Sequence, residues 1–134
     1  MSDLVAIDTS VVIATITSES ERFSLVRWTQ GTELVAPVSL AAEVGNAFSA
    51  MFRRGRITLE ASLVALRAYQ RIPIRILPLE LEHALALSNE LGIYAYDAYV
   101  ISCALKSRAP LLTLDSGQRE AARRAGARIL EVEE

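Results

Sequence analysis

The sequence predicts an α/β protein: a mainly parallel sheet of about five strands with helices packed against it. Short apolar runs of strand length alternate with longer stretches in which apolar residues recur at helical spacing. That alternation implies a sandwich around a parallel sheet. At 134 residues, 51% of them hydrophobic and 22% charged, the chain is long and apolar enough for a real core. It contains no internal repeat, low-complexity tract or linker, so residues 1–134 read as one domain.

The elements follow in order. Leu4 to Ile7 is a short apolar run ending in Asp8, then Thr9 and Ser10, then apolar again from Val11 to Ile16: strand, acidic turn, helix. Ser18 with Glu21 has the form of a capping box, and Phe23, Leu25, Val26 and Trp28 fit an amphipathic helix ending near Gly31. Glu33 to Ala36 reads as a second strand stopped by Pro37. Ser39 is placed as the N-cap of the longest helix, with Leu40, Val44, Phe48, Met51 and Phe52 along one side and Gly55 at its end. A second helix, Thr58 to about Gln70, carries Leu59, Leu63 and Leu66 on one face. Two apolar-faced helices with no strand between them suggest an arm that packs on the sheet or on another subunit.

Ile74 to Leu77 lies between Pro73 and Pro78, and such flanking prolines favour an edge strand. Glu80 to Leu91 reads as a helix capped by Gly92, with Leu81, Ala84, Leu85, Leu87 and Leu91 mostly inward. The stretch Tyr94 to Asp115 is a helix feeding a buried strand, Leu111, Leu112 and Leu114. Ser116 to Ala125 is a last helix ended by Gly126, and Ala127 to Val132 a final strand before an acidic tail.

Composition removes several function classes. The longest apolar runs, such as Val11 to Ala14, fall far short of the ~20 residues of a membrane span. The beginning, MSDLVAID, lacks the basic and apolar regions of a signal peptide, and the expected location is cytoplasmic. Cys103 is the only cysteine and His83 the only histidine, which argues against a multi-cysteine metal site or a histidine centre. Cys103 reads as a small core residue and His83 as a partly exposed helix position. The formal net charge of −2 gives no global basic field. Two local clusters, Arg53, Arg54 and Arg56, and Arg119, Arg123 and Arg124, offer themselves to phosphates, although arginines near a helix C-terminus also complement its dipole.

Four acids stand out by position. Asp8 and Asp115 directly follow strands, Glu43 lies in the first turn of a helix that follows a strand, and Asp97 near the start of a helix that precedes one. In a parallel α/β sheet all four positions project onto the carboxyl edge, where ligand crevices form. Taken singly, each is an ordinary turn or first-turn acid. Together they would repel unless cations neutralised them, and hard divalent ions such as Mg²⁺ or Mn²⁺ do so while leaving positions for water and phosphate oxygens. The matching chemistry is metal-assisted hydrolysis of a phosphodiester.

At these residues the chain resembles the PIN-domain ribonucleases, in particular the VapC-type toxins of prokaryotic toxin–antitoxin pairs. The likeness rests on strand-Asp8-Thr9-Ser10, Glu43 with Asn46 in Glu-Val-Gly-Asn, Tyr96-Asp97-Ala98-Tyr99 and Leu112-Thr113-Leu114-Asp115, in that order and spacing. It implies a PIN-like three-layer sandwich and a Mg²⁺- or Mn²⁺-dependent endoribonuclease. The family's four acids fall on Asp8, Glu43, Asp97 and Asp115, and its polar supporting neighbours on Thr9, Ser10, Asn46 and Thr113. It also implies an RNA substrate, a homodimer, and a VapB-like antitoxin partner whose segment enters the acidic groove, with many contacts placed on the hairpin from Leu40 to Tyr69.

Two other readings compete. A non-catalytic regulatory or RNA-binding module on the same fold would no longer need the four acids to work together. A phosphoacceptor signalling domain would need a second acid beside Asp8 and a lysine after a late strand, whereas Lys106, the only lysine, precedes the fourth strand.

Overall fold

A computed structural model describes residues 3–17 and 30–131. The capping box at Ser18 and Glu21, the helix from Phe23 to Trp28, and Val132 lie outside the described residues. Within them the elements are β1 (Asp3–Ile7), α1 (Thr9–Ile16), β2 (Thr32–Pro37), α2 (Leu40–Arg53), α3 (Leu59–Gln70), β3 (Ile74–Leu77), α4 (Leu81–Leu91), α5 (Ala95–Ser107), β4 (Leu111–Leu112) and α6 (Ser116–Arg124).

The sheet runs β3-β2-β1-β4 with every pairing parallel. The strand flanked by prolines is an edge strand, as its sequence predicts. Four strands form rather than about five. The expected last strand contributes one bridge, Ile129 to Leu111, through Leu111 N–H to the Arg128 carbonyl and Leu130 N–H to the Leu111 carbonyl, both 2.9 Å. β4 is itself two residues long, so it offers a neighbour little ladder to extend, and Leu114 is already exposed beyond it.

Side chains leave a strand alternately to its two faces, and each face has its own core. Val5, Ile7, Leu34, Ala36 and Leu112 pack with α1, α2 and α3 through Val11, Leu40, Val44, Phe48 and Ala65. Ala6, Val35 and Leu111 pack on the other side with α4, α5 and α6 through Ala84, Leu87, Ile101 and Ala122. The result is a three-layer α/β sandwich. α5 is buried on nearly all sides, including Val100 to Ala104, and Cys103 is a core residue there. His83 is partly exposed on α4 and reaches Ser102 of α5 at 2.6 Å.

Two helices leave part of their apolar faces outside the core, and the α4 face is mostly inward as its sequence predicts. On α3 the buried residues are Ser62 and Ala65, while Leu59 and Leu63 face outward; on α4, Ala84, Leu87 and Leu91 are buried while Leu81 and Leu85 are exposed. On α3 small residues carry the contact, because they let the helix approach its neighbours closely, whereas on α4 two leucines join Ala84. Phe52, expected inward on α2, is also exposed. No helix among the described residues is long and apolar enough to cross a membrane.

Candidate functional site

Strand order fixes the place of the site. The chain moves from β1 outward to β2 and β3, then returns through α4 and α5 to lay β4 on the other side of β1. The carboxyl ends of β1 and β4 therefore flank the switch in direction, where an open α/β sheet leaves a crevice. Asp8 follows β1 and caps α1, its Oδ1 accepting from Val11 N–H at 3.3 Å. Asp115 follows β4 and caps α6 in the same way, through Gln118 N–H at 3.1 Å. Glu43 is in the first turn of α2, and Asp97 in the first turn of α5, which runs back along β4. All four acids reach the same edge.

Asp8 is the most enclosed, with 7% exposure. Ser10 Oγ donates to its Oδ1 at 2.5 Å, and Thr113 Oγ1 donates to its Oδ2. Both hydroxyls are themselves fixed from the β4 exit: Ser10 Oγ accepts Leu114 N–H at 2.9 Å, and Thr113 Oγ1 accepts Asp115 N–H at 3.1 Å. Burial raises the Asp8 pKa, the three donors oppose that, and the Asp115 carboxylate adds a further push upward.

The other acids show the same field. Burial lifts Glu43 to about 7, helped by the charges of Asp97 and Asp8 and opposed by the Ser39 hydroxyl, which donates to its Oε2 at 3.3 Å. Ser39 was expected to cap α2, but its own backbone is already helical and its side chain serves Glu43 instead. The buried Thr9 hydroxyl is the weakest influence on Glu43, near enough to favour its charge but outside hydrogen-bond geometry. Burial, then the charge of Asp115, raises Asp97. The repulsions form a ring, Asp8 to Glu43 to Asp97 to Asp115 and back to Asp8.

The donor set is all oxygen and strongly negative, which suits a hard divalent cation. The only ion pairs among the described residues are Arg75–Glu33 and Arg123–Glu131, both 2.7 Å, so none of the cationic side chains described is paired with any of the four acids. Yet among the described residues no three acidic, histidine or cysteine side chains are drawn to one point. The acids stand as an open ring. Beside it lies a groove of about 510 Å³ lined by Thr9, Ala42, Glu43, Asn46, Ala47 and Tyr96. Asn46 is exposed there, one turn after Glu43.

The PIN domain family model matches residues 5–124. The chain belongs to the PIN domain family. No curated protein matches it in sequence. Three solved structures share the PIN fold across nearly the whole chain. PAE2754 from Pyrobaculum aerophilum is 22% identical, covers 97% of this chain and 92% of its own, and superimposes with a TM-score of 0.74. VapBC2 from Rickettsia felis, bound to a DNA fragment from their promoter, is 16% identical with coverage of 96% and 97% and a TM-score of 0.69. FitAcB from Neisseria gonorrhoeae is 18% identical with coverage of 95% and 96% and a TM-score of 0.66.

In this PIN domain some polar residues do other work than expected, and one was not foreseen. Arg123 pairs with Glu131, Arg124 reaches the Leu91 carbonyl at 3.5 Å, and Arg119 donates to the Thr113 carbonyl at 3.1 Å. Only Arg119 touches a residue of the site. Arg53, Arg54 and Arg56 stand at the far end of α2 from Glu43, Arg53 being about 15 Å along the axis at 1.5 Å per residue. Gln118, 5% exposed, takes the Asp115 cap on its N–H and donates through Nε2 to the Asp97 carbonyl at 3.1 Å, tying the starts of α5 and α6 together. Its signal in the sequence is an acid followed three residues later by glutamine, the pattern of a capping box.

Proposed function

We propose that this PIN domain is a Mg²⁺- or Mn²⁺-dependent endoribonuclease that hydrolyses RNA phosphodiester bonds and acts as the toxin of a VapBC-type pair. The observation that carries the reading is the ring of four mutually repelling acids at the β1/β4 switch, with no cationic side chain among the described residues paired to them. Asp8, Glu43, Asp97 and Asp115 would hold the ion, which when bound supplies an activated water and a positive charge facing the phosphate. Asp8 is the anchor. Three of its roughly four acceptor positions are occupied by Ser10, Val11 and Thr113, which leaves one on Oδ2 for a ligand. Thr9, Ser10 and Thr113 support the acids, Gln118 joins them, and Asn46 lines the groove beside Glu43.

The likeness to VapBC2 and FitAcB supports an antitoxin as partner. An acidic groove suits a basic side chain from such a protein, and the outward leucines of α3 suit a homodimer or antitoxin contact. A cleavage assay on RNA with Mg²⁺ or Mn²⁺ tests the function. Wild type should cut, EDTA should stop it, and Asp8→Asn and Asp97→Asn should each lose most of the activity. Failure of wild type with either ion overturns the reading.

A second reading is a non-catalytic PIN-like module that regulates or binds RNA. The open spacing of the carboxylates favours it. RNA binding without cutting, unaffected by the two asparagine substitutions, would be its signature.

A further inference from the structure

The groove beside Glu43 has an aromatic wall that the acids do not use. Tyr96 sits one residue before Asp97 in α5 and lines the groove opposite residues of α2. The residue is 53% exposed, and Tyr99, one helical turn on, meets its ring edge to face with centroids 5.7 Å apart and planes at 82°. Single exposed aromatics are common on protein surfaces. This one leans on Tyr99 at the rim of the proposed scissile site.

We propose that Tyr96 is the stacking platform for one nucleobase of single-stranded RNA, the base next to the phosphate held at the acids, and that the Asn46 amide meets that base's hydrogen-bonding edge. The proposal rests on the nuclease reading above. Three features select a base. An aromatic face stacks on any unpaired base, while a duplex keeps its base faces covered. Asn46 presents a donor and an acceptor side by side, which complements a base edge better than it complements a cation. Ala42 and Ala47 reach no farther than a methyl group, so a flat ring has room beside the tyrosine. The rival occupant is a basic side chain of a protein partner, drawn by Glu43 and by the same ring.

Tyr94 provides a control, being 85% exposed and two residues away but absent from the groove lining. The test titrates a fluorescein-labelled single-stranded RNA decamer by anisotropy with Ca²⁺ replacing Mg²⁺, and measures cleavage kinetics in Mg²⁺. Tyr96→Leu should weaken binding about tenfold and raise KM with kcat nearly kept, while Tyr96→Phe and Tyr94→Leu stay within about twofold of wild type. A scan with single abasic positions closes the cycle: one position should cost wild type a similar factor and cost Tyr96→Leu nothing more. That comparison holds even if the variant is somewhat less stable. Wild-type cleavage with an unchanged KM for Tyr96→Leu, or an abasic penalty that the substitution leaves intact, overturns the base slot and spares the nuclease reading. No cleavage by wild type overturns both. A variant that binds RNA normally but loses affinity for an arginine-containing peptide gives the groove to a protein partner and overturns the proposal.

Discussion

Thr113 donates a hydrogen bond to Asp8 across 105 positions of sequence, so the exit of β4 holds the carboxylate at the exit of β1. The same hydroxyl accepts Asp115 N–H, which makes Thr113 the joint between two acids of the ring. Thr113→Val keeps the shape and removes both bonds. Partners that orient a metal ligand typically contribute 10–100-fold in affinity or activity, so Mn²⁺ affinity by calorimetry should fall at least about tenfold. Stability should fall by about 1–2 kcal/mol in urea unfolding, because Thr113 is buried and the Asp115 N–H loses its acceptor.

Metal-free stability should decline as pH rises. Asp8, Glu43 and Asp97 all have pKa values raised by burial, so the folded state binds more protons than the unfolded state between the ordinary and the raised values. For Glu43 that window runs from 4.5 to about 7. Stability is full below it and lost across it. Glu43 is partly solvated, so the loss it causes should be about 1–2 kcal/mol after discounting for screening. Urea unfolding in EDTA at pH 5 and pH 8 measures the difference, and Glu43→Gln should flatten it. Mg²⁺ at pH 8 should restore stability to wild type and much less to the variant. Equal stability at both pH values in EDTA would refute the repulsive ring.

The layered fold and the edge that carries the acids were legible because both depend on local facts. An acid directly after an apolar strand, or in the first turn of a helix, has its edge set by chain direction alone. Helix rotation was less legible. Leu59 and Leu63 mark an apolar face, yet Ser62 and Ala65 make the contact, since close approach rewards small residues more than hydrophobicity announces. The roles of Ser39 and Gln118 are not legible in the sequence because their partners, Glu43 and the Asp97 carbonyl, are chosen by tertiary placement or by competition between side chain and backbone. How tightly the four carboxylates close depends on rotamers, which no spacing rule specifies.

Gln118 leads to a separation of stability from activity. Its Nε2 holds the Asp97 carbonyl, while its Oε1 is buried without a partner. Gln118→Met removes one hydrogen bond and also that unpaired oxygen, so the net change in unfolding free energy should stay under about 1 kcal/mol. The start of α5 is then freed from the start of α6, and the Asp97–Asp115 spacing loosens. Cleavage should fall about tenfold in kcat with KM little changed. A loss of stability with activity preserved would make Gln118 a packing residue only.

The outward face of α3 is the remaining feature with a measurable consequence. Leu59 and Leu63 are one turn apart and 57% and 40% exposed, and Val64 beside them is 63% exposed. None is anchored in the core that Ser62 and Ala65 build, so Leu59→Glu with Leu63→Glu should change unfolding free energy by no more than about 0.5 kcal/mol per site. If this face joins two copies, burying two glutamates there is prohibitive. Light scattering should then report a dimer for wild type and a monomer for the double variant, with circular dichroism unchanged. A dimer that survives the substitution places the subunit contact elsewhere and overturns the α3 face as the contact between two copies.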